Sequence, residues 1–314
     1  LLGTALFNMY GKCGSIRNAR KIFDNLFFRD LVTWNAMLSV YVLNALVKDA
    51  FSLYEQMSGS NVIPDKFTYN TVLSACCGES DLEQGHQIHT DIIFYGIEIQ
   101  AGIGTGLIGM YNKCGSVEAA RKEFERQHCK DLALWNIMLA GYVQSNMATK
   151  AIQLYVEMVD SKIHPNEFTF TAVVCACSTL ANLAQGKEVH IAVVDGGYET
   201  DNGVQNALVH MYSKCGNMID AWNLFEKHYN HHDIISWNAM ITGYAQHGYG
   251  KEALEVYHKM LKQGIKANDI TFASIFSACA HVGLVDDGLE YFDSMNRVHG
   301  IVPCFEHYAG IIDL

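Results

Sequence analysis

The chain has 314 residues, of which 50% are hydrophobic and only 3 are proline, and no apolar run approaches the roughly 20 residues of a membrane span. Its length exceeds what one compact core accommodates, whereas a repeat array has no such limit because each unit contacts only its neighbours. The formal net charge of −11 and the lack of a basic run argue against a nucleic-acid binder that depends on phosphate neutralisation.

A block of about 101 residues occurs three times. The segment Met-Tyr-Gly-Lys-Cys-Gly-Ser at 9–15 returns with few changes at 110–116 and 211–217, and the Trp-Asn pair at 34–35 returns at 135–136 and 237–238. Such repetition is typical of an array whose units bury their apolar faces against one another. It is not expected of a globular enzyme with a single active site.

Each block divides into shorter units that carry a helix-turn-helix pattern. Between 31 and 65, apolar residues recur at the spacing of one helix face, first from Trp34 to Tyr41 and then from Ala50 to Met57. We predict an all-α fold, a right-handed superhelical α-solenoid of helix-turn-helix repeats, forming a single array over 1–314. The predicted units are 1–30, 31–65, 66–100, 101–131, 132–166, 167–201, 202–233, 234–268, 269–303 and a truncated tenth unit, 304–314. The missing initiator Met and the end inside a helix predict a segment of a longer protein.

Three recurring residue types predict how the helices begin and end. Hydroxyl residues at the third position of five units are expected to be N-caps: Thr33, Thr68, Thr169, Ser236 and Thr271. Gly14, Gly115 and Gly216 are expected to close the first helix of each short unit in a left-handed conformation. Beside them, Lys12, Lys113 and Lys214 fall in the last helical turn, where exposed carbonyl groups favour a cation.

The sequence lacks the motifs of catalytic and metal sites. Ten cysteines without a secretory signal indicate a reducing compartment, yet no C-x-x-C pair is present. No histidine is followed two residues later by Glu, as the zinc deaminase signature requires. There is no Ser/His/Asp arrangement and no glycine-rich phosphate loop. We therefore expect no catalysis, no bound metal and no cofactor in this chain.

Two positions carry small or medium polar side chains in nearly every unit. The fifth residues are Thr4, Asn35, Asn70, Thr105, Asn136, Thr171, Asn206, Asn238 and Ala273. The last residues are Asp30, Asp65, Gln100, Asp131, Asn166, Asp201, Asp233 and Asn268. A core position would be apolar, and an indifferent exposed helix position would favour Lys, Glu or Gln. Helix capping alone explains the last residues, but pairing with the fifth residues indicates a binding role as well.

The chain resembles the pentatricopeptide repeat family, in particular the plant class with alternating P, L and S motifs. The resemblance extends over the whole chain and rests on the segments Val-Thr-Trp-Asn-Ala-Met at 32–37, Ile-Ser-Trp-Asn-Ala-Met at 235–240, the Met-Tyr-x-Lys-Cys-Gly series, Ala-Arg-Lys-Ile-Phe-Asp at 19–24 and Glu-Gln-Gly-His-Gln-Ile-His at 83–89. It implies binding of single-stranded RNA, one base per repeat, read by the fifth and last residues. Second residues such as Val32 and Phe67 would wedge between bases, and Lys12, Lys113 and Lys214 could contact phosphates instead of serving only their helix ends.

The resemblance also implies a cellular role and a target. It places the protein in a plant mitochondrion or chloroplast, selecting cytidines for C-to-U editing with a deaminase domain or editing-factor partner, although splicing and RNA stability remain alternatives. Under the family code, Thr4/Asp30, Thr105/Asp131 and Thr171/Asp201 imply G, Asn35/Asp65 and Asn206/Asp233 imply U, and Asn136/Asn166 and Asn238/Asn268 imply a pyrimidine. Asn70/Gln100 is unassigned, so the expected target is 5′-G-U-N-G-Y-G-U-Y-3′. The competing hypothesis is a tetratricopeptide-like scaffold that binds proteins.

Overall fold

The computed structural model describes residues 2–60, 62–76, 78, 81–97, 102–227 and 233–314, which form nineteen helices and no strand. The helices are α1 (Leu2–Lys12), α2 (Ile16–Asp24), α3 (Leu31–Leu43), α4 (Val47–Ser58), α5 (Lys66–Ala75), α6 (Leu82–Phe94), α7 (Ile103–Lys113), α8 (Val117–Arg126), α9 (Leu132–Gln144), α10 (Ala148–Asp160), α11 (Glu167–Thr179), α12 (Leu183–Asp195), α13 (Asn202–Lys214), α14 (Met218–Lys227), α15 (Ile234–Gln246), α16 (Gly250–Lys262), α17 (Asp269–Val282), α18 (Val285–Arg297) and α19 (Phe305–Ile312). The predicted all-α class is confirmed. In this described part, no helix combines the length and apolarity needed to cross a bilayer.

The chain forms two compact units, Leu1–Ser145 and Asn146–Leu314. In the first, α1/α2, α3/α4, α5/α6 and α7/α8 pack as hairpins, and the first helices α1, α3, α5, α7 and α9 contact one another in series. In the second, the hairpins are α11/α12, α13/α14, α15/α16 and α17/α18, and α11, α13, α15, α17 and α19 form the same kind of series. Helix-turn-helix repeats stacked side by side are therefore confirmed within each of the two compact units.

The repeated tryptophans are core residues. Trp34, Trp135 and Trp237 are buried, and each meets the edge of a phenylalanine from the preceding second helix. The pairs are Phe23–Trp34, Phe124–Trp135 and Phe225–Trp237, with ring centroids 5.1, 4.9 and 4.8 Å apart and near-perpendicular planes. Edge-to-face pairs of this kind add about 0.5–1.5 kcal/mol beyond the burial of their area. The Trp-Asn dipeptide thus combines a packing residue with an adjacent polar residue.

In each short unit, the turn between the two helices contains a left-handed glycine. Gly14, Gly115 and Gly216 have φ values of 71°, 74° and 75°, as the sequence predicted. Lys12, Lys113 and Lys214 lie in the last turns of α1, α7 and α13, which is also confirmed. The equivalent turns of other units hold non-glycine residues in the same conformation, among them Ala45 and Ala181. These alanines adopt a backbone region that disfavours a Cβ atom.

The predicted N-caps were wrong by three residues. The caps are the last residues of the preceding units, whose side chains accept from the backbone N–H of the hydroxyl residue: Asp65 from Thr68 at 2.9 Å and Asn268 from Thr271 at 3.0 Å. Thr68 and Thr271 occupy the N3 position, and their hydroxyls accept in return from the backbone N–H of the cap. Both side chains of a capping box satisfy otherwise free amides, so a hydroxyl at the third position is compatible with either role in sequence alone. The capping interpretation of the last residues is thereby confirmed.

The same relationship extends to the end of the chain. The N-cap of α19 is Cys304, whose backbone N–H donates to Nδ1 of His307 at 3.0 Å. At the other described first helices with a polar N-cap, the cap is the last residue of the preceding unit. Cys304 is the first residue of the predicted tenth unit.

Candidate nucleic-acid interface

The polar fifth residues lie in the first or second turn of the first helices. In the first compact unit they are Thr4 on α1, Asn35 on α3, Asn70 on α5, Thr105 on α7 and Asn136 on α9; in the second they are Thr171 on α11, Asn206 on α13 and Asn238 on α15. The last residues cap the following first helices: Asp30, Asp65, Asp131, Asn166, Asp201, Asp233 and Asn268. Gln100 lies outside the described residues.

Three asparagines contact the last residue of their own unit directly. Nδ2 of Asn35 donates to Oδ1 of Asp65 at 3.1 Å, and Nδ2 of Asn238 donates to Oδ1 of Asn268 at 3.0 Å. In the seventh unit, Nδ2 of Asn206 lies 3.4 and 3.3 Å from the two carboxylate oxygens of Asp233. The structure therefore brings together three of the residue pairs that the sequence selected, across about thirty positions of chain in each case.

The same asparagines accept a hydrogen bond from the next unit. The hydroxyl of Thr68 donates to Oδ1 of Asn35 at 2.6 Å, and that of Thr271 donates to Oδ1 of Asn238 at 2.7 Å. Ser236 makes the equivalent contact to Asn206. We call each set of three side chains an amide clasp: Asn35–Asp65–Thr68, Asn206–Asp233–Ser236 and Asn238–Asn268–Thr271. Each clasp joins one first helix to the N-terminus of the next.

Two of these carboxylates, Asp65 and Asp30, are held in the charged form. Partial burial acts to raise the pKa of Asp65, but hydrogen bonds from Thr68 and Asn35 outweigh it and lower that pKa below its ordinary value. Hydrogen bonds from the Thr33 side chain and backbone likewise lower the pKa of Asp30. At neutral pH both groups are therefore acceptors only, which fixes the direction of the hydrogen bonds they make.

The threonine pairs are arranged differently. Thr171 donates its hydroxyl to the backbone carbonyl of Glu167, and no direct bond joins Thr171 to Asp201 in the described part of the chain. Both side chains nevertheless flank Gly203, which lacks a side chain of its own. Thr105 and Asp131 line one small cavity of about 180 Å³. Asp30 caps α3 through Thr33, while Thr4 lies half-buried on α1.

An open groove in the second compact unit collects the predicted site residues. It has a volume of about 610 Å³ and runs along α11, α13 and α15, with Thr171, Asn206 and Asn238 side by side on its wall. Asn268 and Lys214 line the same groove. Three fifth residues from consecutive units therefore face one continuous space, as reading consecutive bases requires.

The groove also contains residues that sequence analysis missed. His210 lies on α13 between Asn206 and Lys214, at i+4 from one and i−4 from the other, and its Nδ1 is 3.0 Å from the Ser178 hydroxyl. Burial, and secondarily the charge of Lys214, lowers the pKa of His210. The signal was present in the sequence, because the equivalent ninth positions of the other eight units before residue 304 hold nothing larger than Asn.

Exposed apolar side chains stand beside the fifth residues. Phe67, Phe168 and Ile235, at the second position of their units, are 56%, 68% and 62% exposed at the start of their first helices. Val32 and Ile270 are exposed in the same way, and Ile235 and Ile270 line the groove. Lys12 and Lys113 are exposed, and Lys214 reaches Oε1 of Gln246 at 3.4 Å. Within the described ranges, no three His, Cys, Asp or Glu side chains converge as a metal site would require.

Comparison with known sequences identifies the repeats. A model of the PPR repeat family matches residues 29–78, 130–179 and 232–281, and a PPR repeat model matches 67–97, 206–227 and 270–298, together well over half of the chain. The chain belongs to the pentatricopeptide repeat family. The matched segments recur at the spacing of the three sequence blocks and contain the clasp residues of the second and eighth units, so the clasps are part of pentatricopeptide repeats.

Relatives and solved structures agree with this assignment. A mitochondrial pentatricopeptide repeat-containing protein of Arabidopsis thaliana is 37% identical over 100% of this chain and 37% of its own length, and a chloroplastic one is 36% identical over 100% and 39%. The chain thus spans less than half the length of the curated relatives it matches. The crystal structure of the maize pentatricopeptide repeat protein PPR10 with an 18-nucleotide psaJ RNA element superposes with a TM-score of 0.66 at 18% identity, covering 99% of this chain and 52% of PPR10. At that identity the likeness concerns the fold.

Proposed function

We propose that this protein binds single-stranded RNA by sequence, one base per repeat, through the fifth and last residues of its units. The observation that carries the proposal is the groove in which Thr171, Asn206 and Asn238 stand on three adjacent first helices. Asn and Thr are short side chains with donors and acceptors suited to base edges, and their repeat spacing presents them one after another.

The exposed apolar residues support a base-binding surface. Phe67, Phe168 and Ile235 lie next to the fifth residues without a partner that buries them, and apolar side chains at such places can stack on or separate bases. A surface for a folded protein partner would not need a polar residue from every unit between them. The alternation of apolar second residues with polar fifth residues fits a strand of separated bases.

The acidic net charge is compatible with recognition through bases. Eight base contacts of roughly 1–3 kcal/mol each give about 8–24 kcal/mol, against association costs of about 4–15 kcal/mol. A matched RNA therefore retains net binding energy, while a mismatched RNA retains little. With a charge of −11, phosphate contacts contribute a smaller share than in basic RNA-binding proteins.

The relatives support an organellar setting. Several carry mitochondrial or chloroplastic in their names, and the similar fold of PPR10 was solved with RNA bound. We place this protein in a plant mitochondrion or chloroplast, where it selects sites for RNA processing such as C-to-U editing. The alternating P, L and S organisation belongs to this proposal, as does a deaminase domain or editing-factor partner that supplies the chemistry. The repeats themselves supply recognition.

Selection from a random RNA pool tests the proposal. The purified chain is incubated with the pool, bound RNA is recovered and sequenced, and enriched positions are compared with 5′-G-U-N-G-Y-G-U-Y-3′. We expect enrichment of G, U and G at the first, second and fourth positions. Equal base frequencies at those three positions would contradict base reading. Retention of peptides from a random peptide library without RNA enrichment would favour a protein-binding scaffold.

A further inference from the structure

After the clasp bonds are made, each asparagine side chain still has one donor and one acceptor site available. An Asn side chain has two N–H groups and an oxygen with two lone pairs. In the first clasp, the partners of the Asn35 amide, Thr68 Oγ1 and Asp65 Oδ1, are themselves 2.9 Å apart. Because the amide nitrogen and oxygen share one carbon, both bonds lie along the same edge of the amide. One N–H and one lone pair remain, on the two outer sides.

The orientation of this amide is fixed by the capping box. An ionised carboxylate oxygen can only accept hydrogen bonds. Oδ1 of Asp65, which also accepts the backbone N–H of Thr68, must therefore face the nitrogen side of the Asn35 amide. The Thr68 hydroxyl accepts from the backbone N–H of Asp65 at 3.2 Å and donates to the oxygen side at 2.6 Å. The clasp at Asn238 repeats every contact, with 3.1 Å from the Asn268 backbone N–H to the Thr271 hydroxyl and 2.7 Å from that hydroxyl to Asn238.

Removing the hydroxyl would leave only one of the two anchors. A side-chain amide held by a single bond to the last residue can swing about its terminal torsion, which is broad and has no steep staggered minima. The outer N–H would then no longer point in one direction. A hydroxyl from the next unit therefore determines whether the fifth residue presents a fixed donor.

The third unit provides a natural case without the hydroxyl. The third position of the fourth unit is Ile103, and among the described residues no donor reaches the buried Oδ1 of Asn70. Elsewhere Asn35, Asn136, Asn206 and Asn238 are each followed by Thr or Ser at the third position of the next unit. After Thr105 and Thr171, that position holds Leu134 and Val204.

We propose that Thr68, Ser236 and Thr271 are positioning residues for base recognition, each acting on the asparagine of the preceding unit. This proposal rests on the proposed function. In a unit whose fifth residue is Asn, base recognition then depends on three side chains, one of which belongs to the following repeat. The hydroxyl fixes the amide, the last residue holds its nitrogen side, and the outer N–H donates to an acceptor on the pyrimidine. The third unit, with Ile103 behind it, discriminates bases least among the asparagine units.

The test compares Thr68→Val with Thr68→Ser and Thr33→Val. Valine has the shape of threonine without the hydroxyl, and Ser retains the hydroxyl. Thr33 occupies the same capping position, and its hydroxyl donates to Asp30, but the fifth residue before it is Thr4 and not an asparagine. Thr33→Val therefore reproduces the loss at the cap without disturbing an asparagine amide.

The probes are four synthetic RNAs, 5′-G-X-A-G-C-G-U-C-3′, that differ in the base X opposite the second unit. Wild type and Thr68→Ser should prefer U at X by roughly tenfold or more, as one good base contact allows. Thr68→Val should reduce that preference to within about twofold while affinity changes equally for the other three RNAs. Thr33→Val should keep the wild-type preference at X.

A second readout uses no RNA. In side-chain amide spectra, the clasped N–H of Asn35 should be protected from hydrogen exchange in wild type and Thr68→Ser, and lose that protection in Thr68→Val. A discriminating wild type whose Thr68→Val variant keeps its preference for U would overturn this proposal and leave the proposed function intact. Equal loss of preference at X in Thr33→Val would overturn it too, because capping would then be the cause. A wild type that prefers no base would overturn the proposed function and this proposal together.

Discussion

Asn35 donates a hydrogen bond to Oδ1 of Asp65, 3.1 Å away, and thereby links α3 to the start of α5. Asn35 is only 7% exposed, so this is an interior contact at the junction of two repeats. The residue proposed to read a base is thus also one that joins adjacent units. Substitutions at the fifth position are therefore expected to change both RNA preference and stability.

Replacing Asn35 by Thr separates these two effects. The preferred base opposite the second unit should change from U towards G, at a cost on the original RNA of roughly 1–3 kcal/mol. Helix propensity alone predicts almost no loss of stability, but the two hydrogen bonds of the clasp predict a loss of about 1–3 kcal/mol. Binding to the four RNAs and urea unfolding measure the two quantities.

Asn44→Thr is the matched control for this substitution. The amide of Asn44 donates to the backbone carbonyls of Gly11 and Val40, away from the fifth residues, so its loss should lower stability without changing base preference. If Asn35→Thr weakens binding to all four RNAs equally, Asn35 does not read a base.

The dependence of binding on salt distinguishes the two roles of the lysines. If Lys113 and Lys214 contact phosphates, each change to Ala should lower the slope of log affinity against log salt by about 0.7, equally for every RNA sequence. If they serve only the helix ends, stability should fall by about 0.3–1 kcal/mol and the slope should stay constant. Lys251→Ala, an exposed change on α16, is the control. The unmodified protein is expected to have a shallow slope, and a steep one would contradict recognition centred on bases.

Ala45→Gly and Ala181→Gly should stabilise the protein. Both alanines have positive φ values, 56° and 49°, in turns that other units close with glycine. The strain relieved, about 1–2 kcal/mol, exceeds the added flexibility of the unfolded chain, about 0.4–1 kcal/mol, so each change should gain roughly 0.5–1 kcal/mol. Ala119→Gly, inside α8, should instead cost about 1 kcal/mol. Thermal or urea unfolding measures all three variants, and a loss at Ala45 would show that the turn is unstrained.

Asp65 should contribute stability that depends on pH. Its folded pKa lies below its ordinary value because Thr68 and Asn35 bind the carboxylate. The contribution is therefore fully present above the unfolded pKa of about 3.9 and is lost as pH falls through the lower folded value. Asp65→Asn preserves a good cap, as Asn268 does in the eighth unit, but does not titrate. The difference in unfolding free energy between wild type and Asp65→Asn should be constant above pH 5. Below pH 4, wild type should lose stability relative to the variant. A difference independent of pH would show that the carboxylate is not specifically held.

The repeat, the helical hairpins, the left-handed glycine turns and the polar fifth and last positions all follow from the amino-acid sequence alone. These features are local or periodic, so spacing and residue type predict them. The conformation of Gly14, Gly115 and Gly216 depends only on their own turns, and a helix face is recognised from the period of its apolar residues. The last residues were also recognisable as capping candidates, since Asp and Asn favour helix starts.

The partner of each hydroxyl, in contrast, depends on how the repeats pack in three dimensions. Thr68 looked like an N-cap because its neighbours in sequence offer free amides, whereas its hydroxyl bonds Asn35, 33 residues away. Likewise, the sequence placed Asn206 and Asn238 in equivalent positions, but the shared groove with Thr171 arises from the lateral contacts of α11, α13 and α15. A side chain that has several possible hydrogen-bond partners bonds the one that lies within hydrogen-bonding distance. The distances between repeats are set by packing, which the periodicity of the sequence does not specify.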